Sequence, residues 1–319
     1  MATKNPLTLL EAVRYFSDKD VALQFVAAIK WPDGVACPAC ESKNVGFLKT
    51  RRLWKCRDCA KQFSAKVGTI FEDSAISLEK WMPAMWMIVN MKNGISSYEL
   101  ARALGVTQKT AWFMLQRIRL AMQSKTFRKM GGTVEMDETF IGGKARNMHT
   151  AKRKRVIKGT GRIGKVAVMG LLDRHGKDGH STMRLTIMPG IKRHAVHSLV
   201  REHVEPGSAL YTDAFKSYQG LNGEYIHQVI DHAETYVDGQ VHTNGCENFW
   251  SLLKRSIKGT YVSVEPFHLF RYLDEQVFRF NNRKGFTASD RFNLALMGIV
   301  GRRLTYKDLI GAQNAPNGN

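Results

Sequence analysis

Two sets of residues in this chain have the types and spacing to do chemistry. Cys37-Pro-Ala-Cys40 and Cys56-Arg-Asp-Cys59 form two C-x-x-C pairs with 15 residues between them. Each pair turns the backbone so that two thiolates face one ion. Two pairs close a tetrahedral Zn2+ shell with no open position, so the site is structural. Two disulfides would need an oxidising compartment. The N-terminal stretch argues against export, because Glu11, Arg14 and Asp18 interrupt its apolar run. The second set is acidic. Asp137 lies in Met-Asp-Glu-Thr-Phe and Asp213 in Tyr-Thr-Asp-Ala-Phe, and 33 residues separate Asp213 from Glu247. Three carboxylates suit hard cations such as Mg2+ or Mn2+. Two such ions about 3.5–4 Å apart can activate an attacking oxygen and stabilise a leaving one in phosphoryl transfer. Each acid also has a plainer reading. Glu138 beside Asp137 should point to the opposite face of a strand, so one of the two could be an edge charge. Asp213 could cap a following helix, and Glu247 could pair with Lys254 or Arg255.

The composition supports a polyanionic partner. The chain has 319 residues, with 48 Lys and Arg against 28 Asp and Glu, a formal charge of +20. Such an excess of positive charge points first to nucleic acid. An anionic membrane surface fits less well, because the basic residues are spread through folded segments. No apolar run approaches the roughly 18 residues of a membrane span. The expectation is a cytoplasmic, nucleoid-associated protein with no membrane partner.

Residues 1–30 have apolar positions at helical spacing and form an N-terminal helical segment. Residues 31–70 are the zinc ribbon. Residues 71–125 read as helical, with a capping box at Ser96 and Glu99, a break at Gly105, and a second helix capped by Thr107. Helix, glycine turn, helix is the helix-turn-helix pattern, and Thr107, Gln108 and Lys109 open the helix that would face DNA. A packing hairpin in a small helical bundle has the same pattern. From residue 131 the texture turns to strands and helices. Strands are expected at Thr133–Gly142, Val166–Leu172, Thr182–Met188, Ala209–Thr212 and Tyr225–Ile230, and helices at His194–Val204, Asn244–Ile257 and Phe267–Phe280. Three strands, then helix, strand, strand and helix fit an α/β fold of the ribonuclease-H-like kind. No glycine-rich phosphate loop favours a doubly wound sheet. The basic run 144–165, including Lys152, Arg153, Lys154 and Arg155, reads as a solvated loop that would track a phosphate backbone. Residues 131–300 are assigned to the catalytic domain and 301–319 to a C-terminal tail. His242 could be a ligand or a substrate contact, though a structural histidine fits better; Cys246 reads as a small packing residue, and Phe249 and Trp250 as core residues rather than base-stacking ones.

The segments Val134–Gly143, Tyr211–Tyr218 and His242–Arg255, with the Trp-Pro-Asp-Gly opening before the cysteines, resemble bacterial insertion-sequence DDE transposases. The resemblance is to the ISXO-like group, which carries an N-terminal zinc ribbon, and it covers about residues 20–285. It implies a ribonuclease-H-like domain that cuts and joins DNA, with Asp137, Asp213 and Glu247 as the metal-binding triad. Double-stranded DNA, as terminal inverted repeats and target, would be the partner of a homodimer or higher assembly. Lys254 matches the basic residue that such enzymes place two turns after the glutamate. Seven residues are about 700° of helix, so Lys254 and Glu247 share a face. In this group Asn can replace the third acid, and Asn244 and Asn248 flank Glu247. Two alternatives are a transposase-derived regulator that binds DNA without catalysis and a ribonuclease-H-like nuclease.

Overall fold

A computed structural model of the chain describes residues 6–123, 128–143, 149–156, 164–175, 179–230 and 241–311. The chain divides into two units, Met1–Gln123 with Gly285–Asn319, and Ser124–Lys284.

In the first unit, Thr8 and Asp18 cap helices α1 (Leu9–Phe16) and α2 (Lys19–Lys30) by accepting backbone N–H groups of the first turn. Strands β1 (Val45–Leu48), β2 (Leu53–Cys56) and β3 (Gln62–Phe63) form a three-stranded antiparallel sheet. Helix α3 (Leu78–Asn90) is apolar on all sides and buried, with Trp81, Met82, Met85 and Ile88 fully enclosed. Helix α4 (Ser97–Leu104) starts in the expected capping box, with Ser96 and Glu99 satisfying each other's backbone N–H. It ends at Gly105, whose φ of +60° is left-handed backbone that glycine adopts without a Cβ clash. Thr107 then caps α5 (Gln108–Met122).

The second unit is built on five strands. They are β4 (Thr133–Ile141), β5 (Val166–Asp173), β6 (Thr182–Ile187), β7 (Ala209–Asp213) and β8 (Ile226–Ile230). Helix α6 (Thr150–Val156) follows β4, α7 (Arg193–His203) follows β6, and α8 (Asn244–Ser256) and α9 (Leu269–Asn281) follow β8. The sheet order is β6-β5-β4-β7-β8. Strands β4, β5 and β6 are antiparallel neighbours, whereas β7 runs parallel to both β4 and β8. Alternation along the strands feeds two cores. Val134, Met136, Met169 and Leu210 pack with Val196 and Val200 of α7. Ile141, Val168 and Leu172 pack on the other side with Phe249, Trp250 and Leu253 of α8 and Leu269 and Leu273 of α9. The unit therefore has three layers, with the sheet in the middle.

Three expectations need correction. The basic run 144–165 is not all loop, because Thr150–Val156 is helical and Arg153 and Lys154 are exposed on it. Ala, Lys and Arg are good helix formers, and a lack of apolar residues does not forbid a surface helix. Lys144, Arg146, Lys158 and Arg162 lie outside the described residues. The second unit ends at Lys284, whereas the expected domain runs to residue 300. Helix α10 (Ala288–Met297) belongs to the first unit, where Phe292 is fully buried against the rings of Phe16, Phe25 and Trp86. The segment assigned as a C-terminal tail from residue 301 is folded at its start. Arg117 donates to the Leu304 carbonyl at 3.1 Å, and α11 (Tyr306–Leu309) buries Leu309 completely. Only the part of the expected tail beyond residue 311 lies outside the described residues. Leu309→Ala should therefore cost about 2–5 kcal/mol in urea unfolding; a loose tail would leave the midpoint unchanged.

Candidate metal centres

The cysteine site is assembled by short-range geometry. The Sγ atoms of Cys37, Cys40, Cys56 and Cys59 lie within 4.8 Å of one another. The cross-pairs Cys37–Cys59 and Cys40–Cys56 are both 3.6 Å apart. A tetrahedron with Zn–S bonds of about 2.3 Å has S···S edges of about 3.8 Å, so the four thiols fit Zn2+. All four are free rather than disulfide-bonded. The Cys59 N–H donates to Cys56 Sγ at 3.5 Å, the backbone turn expected of a knuckle. Cys37 and Cys56 are buried while Cys40 is exposed, so the ion would sit near the edge of the ribbon.

The acidic site depends on strand register. Met136 pairs with Thr212 across the parallel β4–β7 ladder, so Asp137 and Asp213 follow side by side where β7 ends. Glu138 completes the group: one carboxylate oxygen each from Asp137, Glu138 and Asp213 lies within 4.8 Å of the others. Alternation does send Glu138 to the α7 side, where it accepts the Tyr218 hydroxyl proton. It nevertheless reaches the two aspartates because β4 continues to Ile141 while β7 stops at Asp213. Past that end, carboxylates from both faces of β4 come together with Asp213. Both members of the Asp137–Glu138 pair therefore lie in the acidic group, and neither is an isolated edge charge.

Burial, then the charges of Glu138 and Asp213, push the Asp137 carboxyl up to about 7. The Trp250 indole N–H, which donates to Asp137 Oδ2 at 2.8 Å, and the Glu138 N–H, which donates to Oδ1 at 2.8 Å, act the other way. Three carboxylate oxygens this close together make a hard donor set that fits one or two divalent cations.

Glu247 is not gathered with these acids. It is exposed in the first turn of α8, with Asn244 and Asn248 exposed beside it. The stripe of α8 that meets the sheet is Cys246, Phe249, Trp250 and Leu253. Glu247 stands one residue off that stripe and three before Trp250. Lys254 and Arg255 are exposed in the last turn of the same helix. On α5, Thr107 is exposed, Gln108 donates to Ser97 Oγ at 2.8 Å, and Lys109 Nζ lies 5.0 Å from the centre of the Tyr306 ring.

Sequence reasoning missed a buried ion pair. Glu135 is 1% exposed, and Arg174 Nε donates to its Oε1 at 2.7 Å. Arg174 also donates to His242 Nδ1 and to the His242 carbonyl, both at 2.8 Å. Arg174 only donates, so His242 Nδ1 is the acceptor of that bond. Glu135 shares the face of Asp137 two positions along β4, which was the only available clue. Cys246 is fully buried in the α8-side core, as expected.

The chain was compared with known families and proteins. The ISXO2-like transposase domain matches residues 129–281, nearly the whole second unit, and the transposase zinc-ribbon domain matches residues 17–62. An uncharacterized protein in transposable element ISH50 of Halobacterium salinarum is 28% identical over 257 residues, covering 76% of this chain and 84% of that protein. An uncharacterized transposase-like protein of Haemophilus influenzae is 33% identical over 97 residues, covering 30% of this chain and 78% of that protein.

Proposed function

Because the chain belongs to the family of ISXO2-like insertion-sequence transposases, we propose that it binds the ends of its element and catalyses metal-dependent strand cleavage and strand transfer. The observation that carries this reading is the convergence of Asp137, Glu138 and Asp213 at the end of β7. The sheet order β6-β5-β4-β7-β8, with β5 antiparallel to its neighbours, supports a ribonuclease-H-like fold. The α4–Gly105–α5 arrangement supports a helix-turn-helix.

Asp137 and Asp213 hold Mg2+ or Mn2+ in this reading, with Glu247 as the third ligand. Bound divalent ions supply Lewis-acid stabilisation of the attacking and leaving oxygens. The chain's own residues position the DNA. Lys254 and Arg255 lie on the helix that carries Glu247, so they meet phosphates flanking the scissile bond. Lys152, Arg153, Lys154 and Arg155 on α6 extend the phosphate track. Thr107, Gln108 and Lys109 at the start of α5 approach the terminal inverted repeats. Zn2+ on the four cysteines braces the ribbon. Two ends must be held together, so the working form is a dimer or larger assembly on duplex DNA in the bacterial cytoplasm. With so many Lys and Arg contacts, binding should fall steeply with salt.

The test is nicking of a duplex that carries the element's ends, with Mg2+ and without. Nicking that is independent of metal, or equal on unrelated duplexes, overturns the reading. The third ligand is decided by two variants. Glu247→Gln should lower nicking by about a hundredfold or more, as loss of an ion-holding ligand would. Glu138→Gln should lower it only about tenfold, as an outer partner would. The reverse order would make Glu138 the third ligand.

A further inference from the structure

We propose that Trp250 is a positioning residue for the metal-binding carboxylates, and that Gly170 is the clearance that lets it reach them. This rests on the metal site proposed above. Gly170 on β5 is the antiparallel partner of Asp137 on β4. A Cβ at Gly170 would lie 2.6 Å from Cζ2 and 2.8 Å from Cη2 of the Trp250 ring, closer than real contacts allow. Glycine in a strand interior commonly marks such an approach. The indole lies over β5, and its Nε1–H donates to Asp137 Oδ2 at 2.8 Å.

Packing alone does not explain that aim. Asp137 has two oxygens with about four lone-pair directions. Trp250 takes one at Oδ2 and the Glu138 N–H takes one at Oδ1. The rotamer is set while the remaining directions stay available for a cation. Outer donors of this kind orient a ligand carboxylate, and losing one typically weakens metal binding 10–100-fold.

A second contact sets the register of α8. The Cys246 N–H donates to Glu135 Oε2 at 3.0 Å, and a Cβ on Gly245 would come within 2.8 Å of that oxygen. Glu135 and Asp137 are two apart on one strand face, and Cys246 and Trp250 are one turn apart on one helix face. The two spacings match, so α8 is held at two points. Glu247 and Lys254 are carried in that register.

The test uses the full chain and Mn2+ alone, titrated by calorimetry, with circular dichroism and melting as checks on folding. Trp250→Phe keeps most of the ring and removes the donor. Gly170→Ala keeps the donor and displaces the ring. Both variants should bind Mn2+ at least tenfold more weakly than wild type while remaining folded. Trp250 is the sole tryptophan of Ser124–Lys284, so a Mn2+-dependent change in tryptophan emission should be present in wild type and absent from Trp250→Phe. Folded variants that bind Mn2+ within twofold of wild type overturn the proposal. Should Trp250→Phe fail to fold, Gly170→Ala decides by the same criterion. Wild type that binds no Mn2+ instead overturns the metal site itself, and this inference with it.

Discussion

Asp137→Asn should lower metal-dependent nicking by about a thousandfold or more and, at pH 8 without divalent ions, make the protein more stable. The first effect follows from removing a charge at the centre of the carboxylate group. Stabilisation of developing charge by a held ion is worth several kcal/mol, and each 1.36 kcal/mol is a factor of ten in rate. The second follows from burial. In the folded chain the carboxyl is pushed up to about 7, against an ordinary value of 3.8. Between these pH values the folded protein keeps a proton that the unfolded chain has released. Stability therefore falls as pH rises through this window, and the loss is complete above about pH 7. At about 1.4 kcal/mol for each pH unit between the two values, the cost is on the order of 4 kcal/mol. Asparagine carries no charge and avoids it, while its single amide oxygen can still accept from one of the two donors, Trp250 or the Glu138 N–H, at a smaller cost of about 1–3 kcal/mol for the other. Melting curves at pH 5 and pH 8 check this. The variant should melt several degrees above wild type at pH 8, with a smaller gap at pH 5. Adding Mg2+ at pH 8 should raise the wild type and leave the variant unmoved. A variant that still nicks, or that melts lower at pH 8, would remove Asp137 from the reacting centre.

Cys56→Ser should release the ribbon's zinc and unfold residues 31–70. Strands β1 and β2 have four residues each and β3 has two. Their core is little more than Trp54 and Phe63, stacked with centroids 6.3 Å apart, with Trp31 edge-on at 5.5 Å from Trp54. So few buried side chains cannot hold so many loop residues in place. A structural zinc ion contributes an apparent free energy of about 10–16 kcal/mol in small fingers. Cys56 is fully buried, so serine there leaves a weak ligand and a polar group away from water. Metal analysis should fall from one zinc per chain to none. Amide exchange and proteolysis should then open the segment between Trp31 and Ile70, while Ser124–Lys284 keeps its protection. A zinc-free ribbon that remained protected would show that packing rather than metal maintains it.

Much of the fold was legible because it is local. The Ser96–Glu99 capping box, the Gly105 break and the Thr107 cap are determined by residues within four positions of one another. The five strands of the second unit appear close to the expected limits because apolar and β-branched residues recur in each between polar, glycine-containing segments. Errors fell where partners are remote. Phe292 and Leu304 follow the second unit in the chain yet return to the first, Phe292 to Trp86 of α3 and the Leu304 carbonyl to Arg117 of α5, and composition carries no sign of that return. The helix at Thr150–Val156 was missed because a helix without an apolar stripe has no hydrophobic period to detect.

By itself the sequence determined the four-cysteine cluster, the caps and the faces of the strands, since chelate spacing, capping and alternation act over a few residues. Only the tertiary structure decided which acids meet. Alternation separates Asp137 from Glu138, yet one oxygen of each lies within 4.8 Å of the other and of one on Asp213, where β7 ends beside them. Where a neighbouring strand stops depends on register between segments some 75 residues apart. The same holds for Trp250, whose apolar neighbours indicate burial while only the docking of α8 over Gly170 aims its N–H at Asp137.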